Sequence, residues 1–348
     1  MYKKIQEGMA TIKVPEEKKV SKKLPVFYNP LMKFNRDMTI LLLNSVKLDG
    51  MQIALPLAGT GVRGVRLALE LKKGKAKRIV MNDMSPKAIK IIRENLDHNY
   101  TTADIKNKEA SQFLLESKGF DYIDIDPFGN PNEFLDAAVK RLSRCGILAV
   151  TATDTSALCG TYPYVCKRKY WATPIRSEIM HEAGLRILIR RVQLIGTQYD
   201  RALTPIFSYS KDHYMRAFFK SKKSKKEATE IINKHQYSKC NNNESFGPFW
   251  VGHINDLDIV REMARLCDDY KNKQFLQTLA QETESNTLFF YDIHKTLKKH
   301  KLQNNPKKDI TIEAIKKKGY KATSTHFSPT AIKTNMPYEE FLKTIMES

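Results

Sequence analysis

The stretch Phe120-Asp121-Tyr122-Ile123-Asp124-Ile125-Asp126-Pro127-Phe128-Gly129 is the most informative part of the chain for its fold class. Its first half predicts a buried strand, which Asp126-Pro127 ends because proline cannot donate to a sheet ladder. The last residues then present a carboxylate, a carbonyl oxygen and an aromatic ring at one point. An exocyclic amino group of a nucleobase needs such a set, since two acceptors hold its N–H protons and a ring stacks on the base. Asp126, Pro127 and Phe128 are therefore candidate catalytic residues.

Two acids near the end of this strand support a functional interpretation. Asp124 and Asp126 fall in a segment that we predict to be buried on both faces of a sheet. Buried carboxylates are costly unless they are paired, and a catalytic role would justify that cost. The alternative is that Asp-Pro only ends the strand.

A glycine-rich turn, Gly59-Thr60-Gly61-Val62-Arg63-Gly64, follows an earlier apolar segment. Glycine permits the tight φ angles and close backbone approach that a nucleotide requires. Asp83 lies nineteen residues beyond Gly64, where an acid accepts hydrogen bonds from ribose hydroxyls. Gly59, Gly61 and Asp83 thus predict a nucleotide-type cofactor, either a dinucleotide or S-adenosylmethionine. An ordinary strand–helix turn, with Asp83 as a helix cap, is the alternative.

Strands alternate with helices through the first half of the chain. This order predicts an α/β fold with right-handed crossovers and a parallel sheet, whose ligands bind at the carboxyl ends of the strands. The Gly-rich turn, Asp83 and Asp126 should therefore meet in one crevice. The predicted strands are 51–57, 78–82, 103–106, 120–126 and 146–151.

The composition changes after residue 220, where the lysine-rich stretch Lys220–Lys226 suggests a linker or a basic rim. We predict a catalytic domain over 1–220 and a smaller basic α+β domain over 221–348. Helices near 290–300 and 312–318, followed by an extended segment, suggest a winged-helix-like module there.

The formal net charge of +21 predicts a polyanionic partner, most simply a nucleic acid. A basic surface kept for solubility is the alternative. No apolar run is long enough to span a membrane, and the polar N-terminus shows no secretory signal. Five scattered cysteines form no Cys-x-x-Cys pair, which predicts a reduced, cytoplasmic protein without a metal site.

Several further side chains have more than one interpretation. Arg63 and Arg66 could clamp a cofactor carboxylate. Asn35-Arg36-Asp37 indicates a solvated helix start on sequence alone. Tyr170 and Trp171, beside Lys167-Arg168-Lys169, suit stacking on a splayed base or simple packing. His181 and Glu178 are expected to be structural.

Taken in order, these segments resemble the tRNA (guanine(26)-N2)-dimethyltransferase family over nearly the whole chain. The motifs that carry the resemblance are Phe27-Tyr28-Asn29-Pro30, Asn35-Arg36-Asp37, Gly61–Arg66, Asn82-Asp83, Asp126–Gly129, Thr151–Asp154, Leu158-Cys159-Gly160, Pro163, His181–Arg186, Ser210–Tyr214 and Gly247–Gly252.

The resemblance implies a class I, Rossmann-like methyltransferase domain, a smaller C-terminal domain and S-adenosyl-L-methionine as cofactor. It implies that tRNA is the substrate and that one or two methyl groups go to N2 of guanine 26. By position, Arg36 and Arg63 resemble cofactor-contacting arginines, Asp83 the ribose acid, and Glu109 with Ala110 the adenine-edge position. Asp126 resembles the catalytic carboxylate, with Phe128 holding the base. We expect a monomer with no obligatory protein partner.

One departure concerns the stretch Lys239–Glu244, where many members carry paired cysteines. Here Cys240 is single, which implies that a structural zinc is lost. Compact length and Lys/Asn richness suggest an archaeal member. Competing hypotheses are a DNA or rRNA amino-methyltransferase, a tRNA-binding protein without catalysis, and a nicotinamide-dependent dehydrogenase.

Overall fold

The computed structural model describes residues 2–16, 26–239, 245–303 and 306–347. The chain forms two compact units that are interleaved in sequence. The first comprises residues 1–153, 192–204 and 216–231, and the second 154–191, 205–215 and 232–348. This division does not follow the predicted single boundary at 220/221, because the chain passes between the two units several times.

The strands and helices are numbered in chain order. The strands are β1 (Tyr2–Glu7), β2 (Ala10–Pro15), β3 (Met51–Leu55), β4 (Ala76–Asn82), β5 (Asp104–Lys106), β6 (Phe120–Ile125), β7 (Leu142–Ala152), β8 (Arg201–Lys211), β9 (Tyr214–Lys223), β10 (His235–Lys239), β11 (Ser245–Trp250), β12 (Tyr291–Asp292), β13 (Ala322–Ser324) and β14 (Ala331–Thr334). The helices are α1 (Lys33–Ser45), α2 (Val62–Glu70), α3 (Pro86–His98), α4 (Ala110–Leu115), α5 (Asn132–Arg141), α6 (Thr155–Leu158), α7 (Pro163–Tyr170), α8 (Met180–Thr197), α9 (Lys225–Asn233), α10 (Leu257–Leu266), α11 (Tyr270–Ser285), α12 (Ile293–His300), α13 (Lys308–Lys317) and α14 (Tyr338–Glu347).

A seven-stranded sheet has the order β5-β4-β3-β6-β7-β9-β8. Strands β3 to β7 pair in parallel with their neighbours, as the alternating sequence predicted. From β3 the chain moves to β4 and β5 on one side, then returns to place β6 on the other side of β3. Ligands of open α/β sheets bind at such a switch point. This topology brings the turn after β3 next to the end of β6.

An N-terminal hairpin was not anticipated from the sequence. Strands β1 and β2 pair antiparallel across Gly8, which has φ +58°. The hairpin is fixed to α3 by side chains, since Asn99 Oδ1 accepts from the Thr11 amide at 2.8 Å and Asn95 Oδ1 from the Lys13 amide at 2.7 Å. Alternation of buried residues along β2 was the available signal.

The lysine-rich stretch Lys220–Lys226 is not a linker. Strand β9 continues to Lys223 and helix α9 begins at Lys225. Ser224 connects them, and its hydroxyl accepts a hydrogen bond from the Glu227 amide at 3.3 Å. Lysine side chains keep their charged ends in water, so this composition is compatible with regular structure as well as with a linker.

The C-terminal segment contains the two helices expected there, α12 and α13, while its winged-helix-like character stays a prediction. Helix α11 is followed by β12, α12, α13, β13 and β14, and the three strands form a sheet in the order β12-β14-β13. Its own core contains Ile293, Leu297, Ile315, Ile332, Phe341 and Ile345, each at most 7% exposed.

Candidate active site

A small cleft opens at the switch point of the sheet. It lies within the first unit, at the carboxyl ends of β3 and β6. Backbone of the Gly-rich turn forms one wall and charged side chains form another. The lining residues are Phe27, Tyr28, Asn29, Arg36, Leu55, Leu57, Ala58, Gly59, Thr60, Val62, Arg63, Asp124 and Asp126.

The Gly-rich turn is held in a conformation that requires glycine. Gly59 has φ +55° and Gly61 has φ +78°, and a Cβ on Gly59 would lie 2.8 Å from the Phe27 carbonyl oxygen. Asp83 holds the turn in place, because its Oδ2 accepts a hydrogen bond from the Gly59 amide at 2.8 Å. Its Oδ1 accepts from the Ser85 amide at 2.9 Å. Burial raises the Asp83 pKa, although these two hydrogen bonds oppose the rise.

Asp126 lines the cleft and does not point into the sheet. Its Oδ2 accepts a short hydrogen bond from Arg63, whose guanidinium also donates to Asn35 Oδ1 and Thr39 Oγ1, at 2.9 Å each. Within the described residues, neither Asp126 Oδ1 nor the Pro127 carbonyl oxygen has a hydrogen-bond donor. Two acceptors are therefore available at the end of β6. The hydrogen bond from Arg63 fixes the orientation of the carboxylate that carries one of them.

Asp124 is paired with Arg216, which is distant from it in the sequence. Arg216 in β9 is fully buried and donates to both Asp124 oxygens at 2.8 Å. Tyr122 and Arg63 also contact this carboxylate. Burial alone would raise the Asp124 pKa, but the charges of Arg216 and Arg63 outweigh it and lower the pKa to about 2. The burial of Asp124 is thus explained by structural pairing, and only Asp126 retains the functional interpretation.

The interpretation of Asn35-Arg36-Asp37 as a solvated helix start is wrong. Asn35 is fully buried and Arg36 is 5% exposed. Arg36 forms a two-bond ion pair with Glu7, with both N···O distances 2.6 Å. The Glu7 carboxylate also binds Arg66. Burial would raise the Glu7 pKa, but Arg36 and further donors lower it on balance. The N-terminal hairpin supplies this acid, so a local sequence pattern could not reveal the pairing.

Phe128 lies at the rim of the site, 39% exposed, with its ring edge against Phe27 at a centroid distance of 4.0 Å. Gly129 anchors the motif to the end of β7. Its amide donates to Thr153 Oγ1 at 2.7 Å, and its carbonyl accepts from the Thr153 amide at 2.9 Å. The Asp126–Gly129 segment is therefore fixed at both ends.

Glu109 and Ala110 follow β5 near the end of β4. The Asn82 side chain joins the two strand ends through hydrogen bonds with the Lys108 backbone. The Glu109 carboxylate caps helix α4, accepting from the Ser111 and Gln112 amides at 2.9 and 2.8 Å, and Ala110 is buried. Neither residue lines the cleft, and their adenine-edge role stays a prediction.

Two buried polar atoms beside the turn lack hydrogen-bond partners in the described structure. They are Thr60 Oγ1, in the cleft wall, and Asn35 Nδ2, whose side-chain oxygen binds Arg63. Buried polar groups without partners are rare, and a polar ligand resolves them. A donor amide and a hydroxyl next to a glycine turn fit a small molecule that carries carboxylate and ribose oxygens.

His181 and Tyr170 have structural surroundings. Nδ1 of His181 lies 3.5 Å from Cys159 Sγ, and Tyr170 is fully buried. Over the described ranges no group of three or more His, Cys, Asp or Glu side chains is placed to hold a metal ion. Cys240, on which the zinc prediction rests, lies outside the described residues. In the part of the chain that the structure covers, every helix is too short or too polar to cross a membrane.

Comparison with known proteins gives a consistent result. A family model for N2,N2-dimethylguanosine tRNA methyltransferases matches residues 8–245 and 235–346. This chain belongs to that family. The tRNA (guanine(26)-N(2))-dimethyltransferase of Pyrococcus horikoshii is 36% identical, with 98% of this chain and 97% of the relative covered.

Another family member and a solved structure extend the comparison. An Aquifex aeolicus protein described as a tRNA (guanine(26)-N(2)/guanine(27)-N(2))-dimethyltransferase is 36% identical, with 99% of this chain and 95% of the relative covered. The structure of Trm1 from Pyrococcus horikoshii with S-adenosyl-L-methionine superposes with a TM-score of 0.87 at 35% identity. It covers 98% of this chain and 99% of the other. Because this match covers nearly the whole chain, the chain has both parts of the family fold, the methyltransferase domain and the C-terminal domain.

Proposed function

We propose that this chain transfers methyl groups from S-adenosyl-L-methionine to the exocyclic N2 amine of guanine 26 in tRNA. The observation that carries the proposal is Asp126, whose carboxylate lines the cleft next to the Gly59–Gly61 turn. The relatives that match over the full length are named for this reaction, which supports the same assignment.

The cofactor is assigned to the cleft at the switch point. The backbone of the Gly59–Gly61 turn forms the surface on which it would rest, and Asp83, which holds that turn, is the candidate partner of the ribose hydroxyls. Arg36 and Arg63 remain the candidate contacts to its carboxylate. Both arginines are already paired with acids, so they would share their remaining donors with the ligand.

The chain's contribution to catalysis is positioning and electrostatics. The guanine amine is a weak nucleophile because its lone pair is delocalised into the ring. Asp126 Oδ1 and the Pro127 carbonyl accept its two N–H bonds, and Arg63 keeps the carboxylate in that orientation. When bound, S-adenosyl-L-methionine would supply an electrophilic methyl group on its sulfonium, with the neutral thioether as the leaving group. Asp126 Oδ1 takes the proton that the amine loses as its new N–C bond forms, and Phe128 stacks on the flipped base.

Nucleoside mass spectrometry tests the proposal directly. Unmodified tRNA transcript is incubated with the protein and S-adenosyl-L-methionine, and we expect N2-methylguanosine and N2,N2-dimethylguanosine. A transcript with adenine at position 26 and guanine at 27 should lose the product, and product that persists from it would show that the second position of the Aquifex relative is also used. Methyl groups found only on DNA or ribosomal RNA would refute the proposal.

Gly59→Ala should weaken cofactor binding strongly. The new Cβ would lie 2.8 Å from the Phe27 carbonyl, so the turn must shift. We expect the affinity for S-adenosyl-L-methionine to fall at least about tenfold, or about 1.4 kcal/mol, by titration calorimetry. Gly50→Ala is the matched control, because Gly50 has φ +64° and a Cβ added there would meet nothing within 4 Å. The control should lose some stability and keep its affinity, and equal affinities of both variants would contradict the assignment.

We further propose that the protein acts as a monomer in the cytoplasm, where its tRNA substrate is found. The C-terminal winged-helix-like module is assigned to tRNA binding, supported by the net charge of +21. Sedimentation of the protein with and without one equivalent of tRNA checks both the monomeric state and the stoichiometry.

A further inference from the structure

We propose that Trp171 is a preformed stacking platform for an unpaired base of the tRNA, separate from the base that enters the cleft. This inference rests on the proposed function, since it assumes that tRNA is the partner. Of the two neighbouring aromatic residues Tyr170 and Trp171, only Trp171 is assigned this stacking role. Tyr170 is fully buried and donates to Asp154, whereas Trp171 is 51% exposed.

The Trp171 backbone is fixed in an unusual conformation. The residue ends helix α7 with φ +55°, a left-handed conformation that bulky residues rarely adopt. Its amide donates to the Lys167 carbonyl at 3.1 Å, and its carbonyl accepts from Arg190 Nη1 at 3.2 Å. Strained backbone that the surroundings hold in place is concentrated at functional sites.

One face of the indole is already occupied. The Arg191 guanidinium lies over the Trp171 ring, with its central carbon 3.8 Å from the ring centroid. A cation on one face and a base on the other is a favourable combination, because both interact with the π-system. Arg191 therefore orients the ring, and the exposed part of the indole is available to a base.

The charge around this ring favours RNA as the occupant. Arg191 is only 9% exposed, its Nε and Nη1 have no hydrogen-bond partner, and no ion pair of Arg190 or Arg191 occurs among the described residues. Burial and the neighbouring Arg190 lower the Arg191 pKa, as expected for a guanidinium without an acidic partner. Lys167 and Arg168 are exposed on the last turn of α7. A phosphate backbone supplies the missing negative charge, and its bases supply the stacking partner.

Fluorescence isolates this residue, since the chain contains two tryptophans and Trp250 is only 4% exposed. Acrylamide should quench the emission of Trp171 in the free protein, and saturating tRNA should protect it. Subtracting the signal of Trp171→Phe gives the Trp171 contribution. Heparin, a polyanion without bases, should give no such protection. Equal protection by heparin and tRNA would overturn the stacking proposal in favour of charge alone.

Binding measurements complete the test. Trp171→Ala should raise the Kd for tRNA about tenfold, while Trp171→Phe, which keeps an aromatic face, should stay within about threefold. Tyr100→Ala removes a 98% exposed ring from the first unit, away from the residues assigned to the cleft and to tRNA binding, and should leave the Kd unchanged. The affinity for S-adenosyl-L-methionine and kcat at saturating tRNA should not change in any of the three.

The outcomes separate this inference from the proposed function. Wild-type protein that makes no methylated guanine would refute the function. Wild-type activity together with an unchanged tRNA Kd in Trp171→Ala would refute the platform alone.

Discussion

Asp126→Asn should lower the rate of methyl transfer by about 10²- to 10⁴-fold, the range for loss of a positioned acid–base or electrostatic group. The amide keeps an oxygen that can accept from Arg63, so the fold of the cleft should persist. It cannot, however, hold two donors and take up the released proton as a carboxylate does. Single-turnover measurement with saturating tRNA and S-adenosyl-L-methionine gives the rate.

Glu133→Gln is the matched control for this prediction. It removes one exposed carboxylate from α5 in the same unit, so net charge changes equally. We expect the rate of Glu133→Gln to equal that of wild type. Cofactor affinity should be similar in all three proteins. An Asp126→Asn enzyme within threefold of the wild-type rate would remove Asp126 from the mechanism.

Arg216→Met should destabilise the first unit by about 3–5 kcal/mol, the loss expected when one partner of a buried ion pair is removed. Arg216 is fully buried and donates to Asp124, Thr151 and Thr39. Without the guanidinium, the Asp124 carboxylate is buried opposite a methionine side chain. The free energy of unfolding, from urea titration followed by circular dichroism, measures the loss.

Two further variants identify the cause of that loss. Arg201→Met removes an arginine from the adjacent strand that hydrogen-bonds Ser143 and Ser221, and it should cost clearly less. The double variant Asp124→Asn/Arg216→Met leaves no buried charge unpaired and should be more stable than Arg216→Met alone. If Arg201→Met and Arg216→Met are equally destabilised, loss of the buried Asp124–Arg216 ion pair does not explain the lower free energy of unfolding of Arg216→Met.

The same pair predicts an acid dependence of stability. The Asp124 pKa is about 2 in the folded protein and about 3.9 in an unfolded chain. Because the folded value is the lower one, the stabilisation is complete above about pH 4 and is lost as the pH falls toward 2. The urea midpoint of the wild type should therefore fall across this interval more steeply than that of the Asp124→Asn/Arg216→Met variant.

Local sequence signals predicted the elements that form the catalytic unit. Ser85-Pro86 is a typical helix start, and Ser85 does cap α3, accepting from the Ala88 amide. The apolar runs that became β3, β4 and β6 pair in parallel as expected. Such patterns are reliable because side-chain periodicity and capping depend on residues close together in sequence.

Partners distant in sequence could not be predicted in this way. Arg216 lies 92 positions from Asp124, and Glu7 lies 29 positions from Arg36. Nothing near either arginine in the sequence indicates which acid it meets. Asp124 and Asp126 are two residues apart in the sequence, but the structure gives Asp124 a full set of buried donors and leaves an acceptor oxygen of Asp126 at the cleft.

Local propensity and chain order were enough to establish the alternating strands and helices, the Gly59–Gly61 turn and the acid at the end of β6. Which charges are paired, and which side chains reach the cleft, became known from the folded molecule alone. Pairing depends on strand order and side-chain direction, and these are set when distant segments pack together.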